Sequence, residues 1–263
     1  QPEITSGDGE GDLDSSELDD AELIANATPS RLGSDTLVNV RNVIGTDYQD
    51  QIIGSEGADV LDGGAGSDVL MGGAGSDVLI GGDGDDVANY NGIQSDYQFG
   101  VDQGLLTVTN IASGAVDTLN GIETLEFADG PIEVSLDVNG GFVLSGSSLE
   151  DTITVSSDAG FTLEGGDGAD VLEGGAGSDF LIGGAGDDVA IYDGIQSDYE
   201  FGVDQSGLLT VTHISTGAVD TLDGVETVKF ADTPARVEIS LDMLHGDAPR
   251  AGESHEVTIA GDI

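Results

Sequence analysis

The chain has 263 residues, 52 acidic and 5 basic, for a formal net charge of −47, and it contains no cysteine. That balance excludes a binder of nucleic acid or of anionic membranes, both of which need basic patches, and it points to cations as partners. With no disulfides and no apolar run long enough for a transmembrane helix, a bound metal is the staple left to such a chain.

The chain starts at Gln1, with no Met and no leader of signal type, so it is expected to be processed or part of something longer. Four segments are expected, 1–30, 31–137, 138–242 and 243–263. Residues 6–17 read SGDGEGDLDSSE and lie partly on an EF-hand loop. Ser6, Asp8 and Glu10 take the first liganding positions, Gly11 the turn, Asp12 a carbonyl position, and Asp14 and Glu17 the last two. Serine stands first where aspartate is usual and no entering helix precedes it. Asp8, Asp14 and Glu17 are therefore candidate ligands of a weak calcium site, with a flexible acidic tail as the equal alternative. Residues 34–44 (SDTLVNVRNVI) alternate apolar side chains and predict strands that lead into the next segment and cap its end.

Residues 63–89 read GGAGSDVLM, GGAGSDVLI, GGDGDDVAN, three nine-residue units in tandem. The frame extends back through GSEGADVLD (54–62) and GTDYQDQII (45–53). Position 6 is aspartate throughout (Asp50, Asp59, Asp68, Asp77, Asp86), and position 8 is apolar (Ile52, Leu61, Leu70, Leu79, Ala88). A fixed short period with one carboxylate and one inward apolar residue predicts a solenoid. Glycines at positions 1, 2 and 4 are expected to take φ > 0 and turn the chain sharply. Positions 7–9 form a short strand with position 8 inward. Two units make one coil, so units two apart stack, Asp50 on Asp68, Asp59 on Asp77 and Asp68 on Asp86. Turn carbonyls and these carboxylates are hard oxygen donors that suit calcium. The candidate calcium turns thus comprise Gly54, Gly63, Gly64, Gly66, Gly72, Gly73, Gly75, Gly81, Gly82, Asp83 and Gly84 with the five aspartates.

These units resemble the GGxGxDxUx repeats of the RTX family of secreted bacterial proteins. The resemblance implies a calcium-bound parallel β-roll, type I secretion and an extracellular or cell-surface location.

Residues 90–137 are β-rich with glycine turns, and such a segment caps the roll in RTX proteins. Asp117, Glu123 and Asp129 are read there as solvated turn residues, with peripheral ligation the alternative. The pattern then recurs 102 residues on as GGDGADVLE, GGAGSDFLI and GGAGDDVAI (165–191). Its candidate ligands are Gly165, Gly166, Asp167, Gly168, Asp170, Gly174, Gly175, Gly177, Asp179, Gly183, Gly184, Gly186 and Asp188, with Asp151 from the degenerate unit 146–154. Val155 is an extra residue, and Phe161 stands where aspartate belongs, so that turn should bind calcium poorly. Residues 194–205 and 220–232 repeat the first cap. Residues 252–259 (GESHEVTI) resemble 146–153, as a decayed third copy or a terminal strand.

The fold class expected is all-β, two tandem calcium-bound parallel β-rolls, each followed by a β-rich cap. His213, His245 and His255 form no HExxH, and GxSxG is missing, so no enzyme is expected. Roughly four to ten calcium ions are expected. The function expected is a secreted calcium-binding protein that folds on calcium and builds an extracellular layer, fibre or adhesive coat. The alternative is the C-terminal secretion and folding module of a larger exported hydrolase. Homo-oligomer, filament or layer assembly is expected, with residues 106–109, 209–212 and the acidic N-terminal segment as contacts.

Overall fold

The computed structural model describes residues 22–24, 35–38, 41–232, 237–239 and 259–260. These residues form strands, turns and two short 3₁₀ turns at Gln94–Asp96 and Gln196–Asp198. Among them no helix is long and apolar enough to cross a membrane. The loop holding Asp8, Asp14 and Glu17 lies outside the described residues, as does most of the 252–259 stretch. The chain divides into two compact units, Gln1–Ser135 and Leu136–Ile263.

In the first unit the nine-residue period becomes a two-faced roll. One face runs β1 (Glu22–Ile24), β3 (Arg41–Thr46), β5 (Val60–Ala65) and β7 (Val78–Asp83), all parallel. The other runs β2 (Asp35–Val38), β4 (Asp50–Ile53), β6 (Val69–Met71) and β8 (Val87–Asn89), also parallel. The register is the one the period dictates. Ile52 pairs with Leu70, Leu70 with Ala88, and Leu61 with Leu79, each 18 residues apart. These position-8 side chains are at most 1% exposed, while their strand neighbours are not buried. Each buried Leu or Ile contributes about 1.5–3 kcal/mol, and Ala88 far less, so the roll has a thin core for its length.

The cap supplies what the roll lacks. Strands β9 (Tyr97–Asp102), β10 (Leu105–Asn110) and β11 (Val116–Asn120) form an antiparallel meander, and β11 pairs parallel with β7, Leu119 on Leu79. On the other face β12 (Thr124–Phe127) pairs parallel with β8, Leu125 on Ala88, and β13 (Gly130–Leu136) pairs antiparallel with β12. Strands β11 and β12 therefore add one more coil to the roll, built without a nonapeptide. Tyr90, Tyr97, Phe99 and Phe127 close its end, with Tyr90 stacked on Phe127 at 5.4 Å between ring centroids. Strand β10 lies between β9 and β11 with Leu106 and Val108 buried, so residues 106–109 are internal rather than a contact edge.

The second unit repeats this plan. One face is β14 (Phe142–Ser145), β16 (Thr162–Asp167), β18 (Phe180–Ala185), β22 (Val219–Asp223), β21 (Leu209–His213) and β20 (Tyr199–Val203). The other is β15 (Thr152–Thr154), β17 (Val171–Glu173), β19 (Val189–Tyr192), β23 (Thr227–Phe230), β24 (Val237–Ile239) and β25 (Ile259–Ala260). Residues 209–212 are likewise internal, on β21 between β20 and β22. Val155 is absorbed between strands, 2% exposed, so Ile153 still pairs with Leu172, one residue beyond the usual spacing.

Candidate metal centre

The aspartates of stacked turns form a hydrogen-bonded ladder. The backbone N–H of Asp50 donates to Asp68 Oδ1 at 2.7 Å, that of Asp59 to Asp77 Oδ1 at 2.9 Å, and that of Asp68 to Asp86 Oδ1 at 2.8 Å. In the second unit Asp151 donates to Asp170 at 2.8 Å and Asp170 to Asp188 at 2.9 Å. Phe161 donates to Asp179 at 2.8 Å, so the phenylalanine keeps its backbone rung and lacks only the carboxylate. Its ring is buried and stacks on Phe142 at 6.0 Å.

The second oxygen of each carboxylate depends on position 2. Where that residue is Thr or Ser, its backbone N–H satisfies Oδ2 within the same unit at 2.6 Å, as Thr46 does for Asp50, Ser55 for Asp59 and Ser147 for Asp151. Where it is glycine, Oδ2 is buried with no hydrogen-bond partner, at Asp68, Asp77, Asp86, Asp170, Asp179 and Asp188. A buried carboxylate oxygen left without a donor is costly, and the charge must be neutralised by a proton or a cation. Burial is the largest cause that raises these acids. It takes Asp68 and Asp170 from 3.8 to about 6 and Asp179 to about 7, and raises Asp77, Asp86 and Asp188. Backbone N–H donation opposes it, and neighbouring carboxylates add to it.

The glycines divide into two roles. Those at position 2, and those at position 4 other than Gly57 and Gly177, take φ > 0, as Gly82 (111°) and Gly84 (145°) do, and a Cβ at Gly82 or Gly84 would strike a carbonyl of the coil beneath. The position-1 glycines (Gly63, Gly72, Gly81, Gly165, Gly174, Gly183) do not take φ > 0, which corrects the expectation from the repeat. They are glycine for space, because a Cβ there would meet the Oδ2 of the same unit's aspartate, at 2.5 Å for Gly81 and Asp86. Gly54 has the same contact with Asp59 at 2.7 Å. The side chains of Asp83 and Asp167 are exposed at the turn surface, away from the ladder. Asp83 contributes its carbonyl, which accepts from Gly66 N–H at 2.8 Å.

Asp117 and Glu123 are not solvated turn residues. Asp77 N–H donates to Asp117 Oδ1 at 2.9 Å and Asp86 N–H to Glu123 Oε2 at 2.8 Å, so both extend the ladder into the cap. Asp220 and Glu226 do the same for Asp179 and Asp188, at 2.9 and 2.8 Å. Burial lifts Asp117 and Asp220 to about 6. The signal was present in the sequence, since Asp117-Thr-Leu119 and Glu123-Thr-Leu125 keep the carboxylate two residues before the inward side chain. Asp129 holds the 3₁₀ turn, accepting from Gln94 N–H at 2.9 Å.

Among the described residues no three His, Cys, Asp or Glu side chains gather as a metal cluster. The oxygen sets here are linear, carboxylates interleaved with turn carbonyls, which is a donor set for a hard cation such as calcium. The orphaned Oδ2 atoms show that the residues fit such an ion. Asp68, Asp77, Asp86, Asp170, Asp179 and Asp188 would hold it with the glycine-turn carbonyls.

The fold and these turns define a parallel β-roll of the cation-binding kind. Residues 44–79, 63–92 and 162–190 match the model of the RTX calcium-binding nonapeptide repeat, four copies long. These two blocks of the chain are thus RTX calcium-binding nonapeptide repeats. Among curated proteins nothing matches it. A solved structure with similarity is the extracellular lipase LipA from Serratia marcescens, 20% identical with a TM-score of 0.34, over 76% of this chain and 39% of that one. The chain thus spans about two fifths of that lipase's length.

Proposed function

We propose that this chain is a secreted, calcium-switched structural protein whose two rolls stiffen outside the cell and build a layer, fibre or adhesive coat. The observation that supports it most is the use of the buried carboxylates. In both units they form ladders whose free oxygens call for cations, and the same ladder runs on through each cap. That is an arrangement for folding on calcium rather than for positioning a substrate. Without the ion, crowded carboxylates and a thin core leave the glycine-rich turns too costly to order. The low calcium of a cytosol then keeps the chain open for export, and the exterior folds it. Catalysis is not assigned to any residue.

Light scattering of the full chain at rising protein concentration, in millimolar calcium and in chelator, tests the structural role. Calcium-dependent growth beyond the monomer is expected. A monomer under all conditions, together with a native polypeptide that carries a hydrolase upstream, would replace this reading with that of a secretion and folding module.

A further inference from the structure

We infer that each cap supplies a further calcium site, outside the nonapeptide repeats, where the last glycine turn meets the short turn Gly121-Ile122-Glu123 and its counterpart Gly224-Val225-Glu226. This rests on the reading of the rolls as calcium-binding and extends it to residues beyond the matched repeats, which end at 92 and 190.

The short turns are not nonapeptides. From Leu119 to Leu125 there are six residues, against nine from Leu79 to Ala88. Yet Leu125 lies in register with Ala88, which places Glu123 on Asp86 as Asp86 lies on Asp68. The glutamate takes the rung, since its Oε2 accepts the Asp86 N–H and leaves Oε1 for a cation.

Two further oxygens meet at the same place. Asp86 is fully buried and its Oδ2 has no hydrogen-bond partner. A Cβ on Gly81 would come nearer than 3.0 Å both to that Oδ2 and to the carbonyl oxygen of Gly121. The side of Gly81 that carries no side chain is therefore where a carboxylate and a cap carbonyl converge. The same pairing of an aspartate Oδ2 and a next-coil glycine carbonyl surrounds Gly165 in the repeats, there Asp170 and Gly183. The cap turn thus reproduces the oxygen set of a repeat turn with a different sequence.

The second unit shows it independently. Asp188 is fully buried with an orphaned Oδ2, its N–H donates to Glu226 Oε2 at 2.8 Å, and a Cβ on Gly183 would meet both Asp188 Oδ2 and the Gly224 carbonyl. Carbonyl and carboxylate oxygens are the donors calcium takes. An ion at this point would tie each cap to its roll, so that the aromatic end and the thin repeat core fold together.

The test uses the full chain in two measurements. A crystal structure grown in calcium is expected to show an ion bound by Asp86 and Gly121, and another by Asp188 and Gly224. Native mass spectrometry is expected to count two fewer ions for the E123Q/E226Q double variant, whose amides keep an oxygen for the ladder bond and lose the charge. Ions in the repeat turns with none at the cap turns would overturn this inference alone, as would an unchanged count in the folded double variant. If that variant does not fold, the wild-type crystal decides. A wild-type chain that binds no calcium at any turn would overturn the calcium reading of the rolls as well.

Discussion

The backbone N–H of Asp50 donates to the carboxylate of Asp68, 18 residues later, at 2.7 Å, and the other oxygen of that carboxylate has no partner. One side chain thus serves as a rung between coils with Oδ1 and as a cation donor with Oδ2. The two roles separate by mutation. Asp68→Asn keeps an acceptor for the Asp50 N–H and removes the charge, so it should raise the calcium needed for folding by roughly tenfold, about 1.4 kcal/mol. Asp68→Ala also strands a buried N–H, worth a further ~1–3 kcal/mol, and should be the worse of the two. Calcium titrations followed by circular dichroism compare them. Equal midpoints for the two variants would show that the rung contributes nothing.

Gly63 gives a test of the position-1 role. Its φ is one that alanine tolerates, but a Cβ would press on Asp68 Oδ2. Gly63→Ala should therefore weaken calcium binding several-fold. Gly104→Ala, at φ 84° with open space around it, should cost only the ~1–2 kcal/mol of left-handed backbone and leave the calcium count unchanged. A Gly63→Ala chain with a wild-type calcium midpoint would contradict this.

Much of this was legible in the sequence, because a period of nine leaves little choice. Once Ile52, Leu61 and Leu70 point inward, units two apart must stack, and the Ile52–Leu70 register follows. The extra coil in each cap was not legible in the same way. Its turn is three residues shorter, so Asp117 and Glu123 fall out of the frame although their spacing to Leu119 and Leu125 is that of the repeats. The reason for glycine at position 1 was hidden too, since the obstacle is a carboxylate that folds back only in three dimensions. Position 2 looked like mere turn chemistry, yet whether Ser or Gly stands there decides if the aspartate is satisfied within its own unit.

Acid should partly replace calcium. Folding raises Asp68, Asp117, Asp170 and Asp220 from 3.8 to about 6 and Asp179 to about 7. Between those values the folded chain holds protons that the unfolded chain has released, so its stability grows as pH falls toward 5 and is lost as pH rises through 6 to 7. In chelator the chain should show more β-structure at pH 5 than at pH 7.5. Relief of the −47 charge acts in the same direction, and added salt removes that part. Circular dichroism at fixed high salt checks this, and β-structure that falls on acidification in chelator would contradict it.

The two units should fold at different calcium levels. Both units keep three aspartates with an orphaned Oδ2, but Phe161 leaves Asp179 without the stacked carboxylate that Asp59 gives Asp77, so an ion at that turn is held by less charge. Hydrogen exchange of the full chain, read at increasing calcium, should protect β5 and β7 before β16 and β18. Simultaneous protection, or protection of the second unit first, would show that the missing carboxylate does not set the order.

The central claim is that calcium supplies the folding free energy of the rolls, and circular dichroism of the full chain at neutral pH tests it most directly. A largely disordered spectrum in chelator that becomes β-rich near millimolar calcium, and reverts when chelator is restored, is the predicted result. A β-rich spectrum in chelator that calcium leaves unchanged would contradict it.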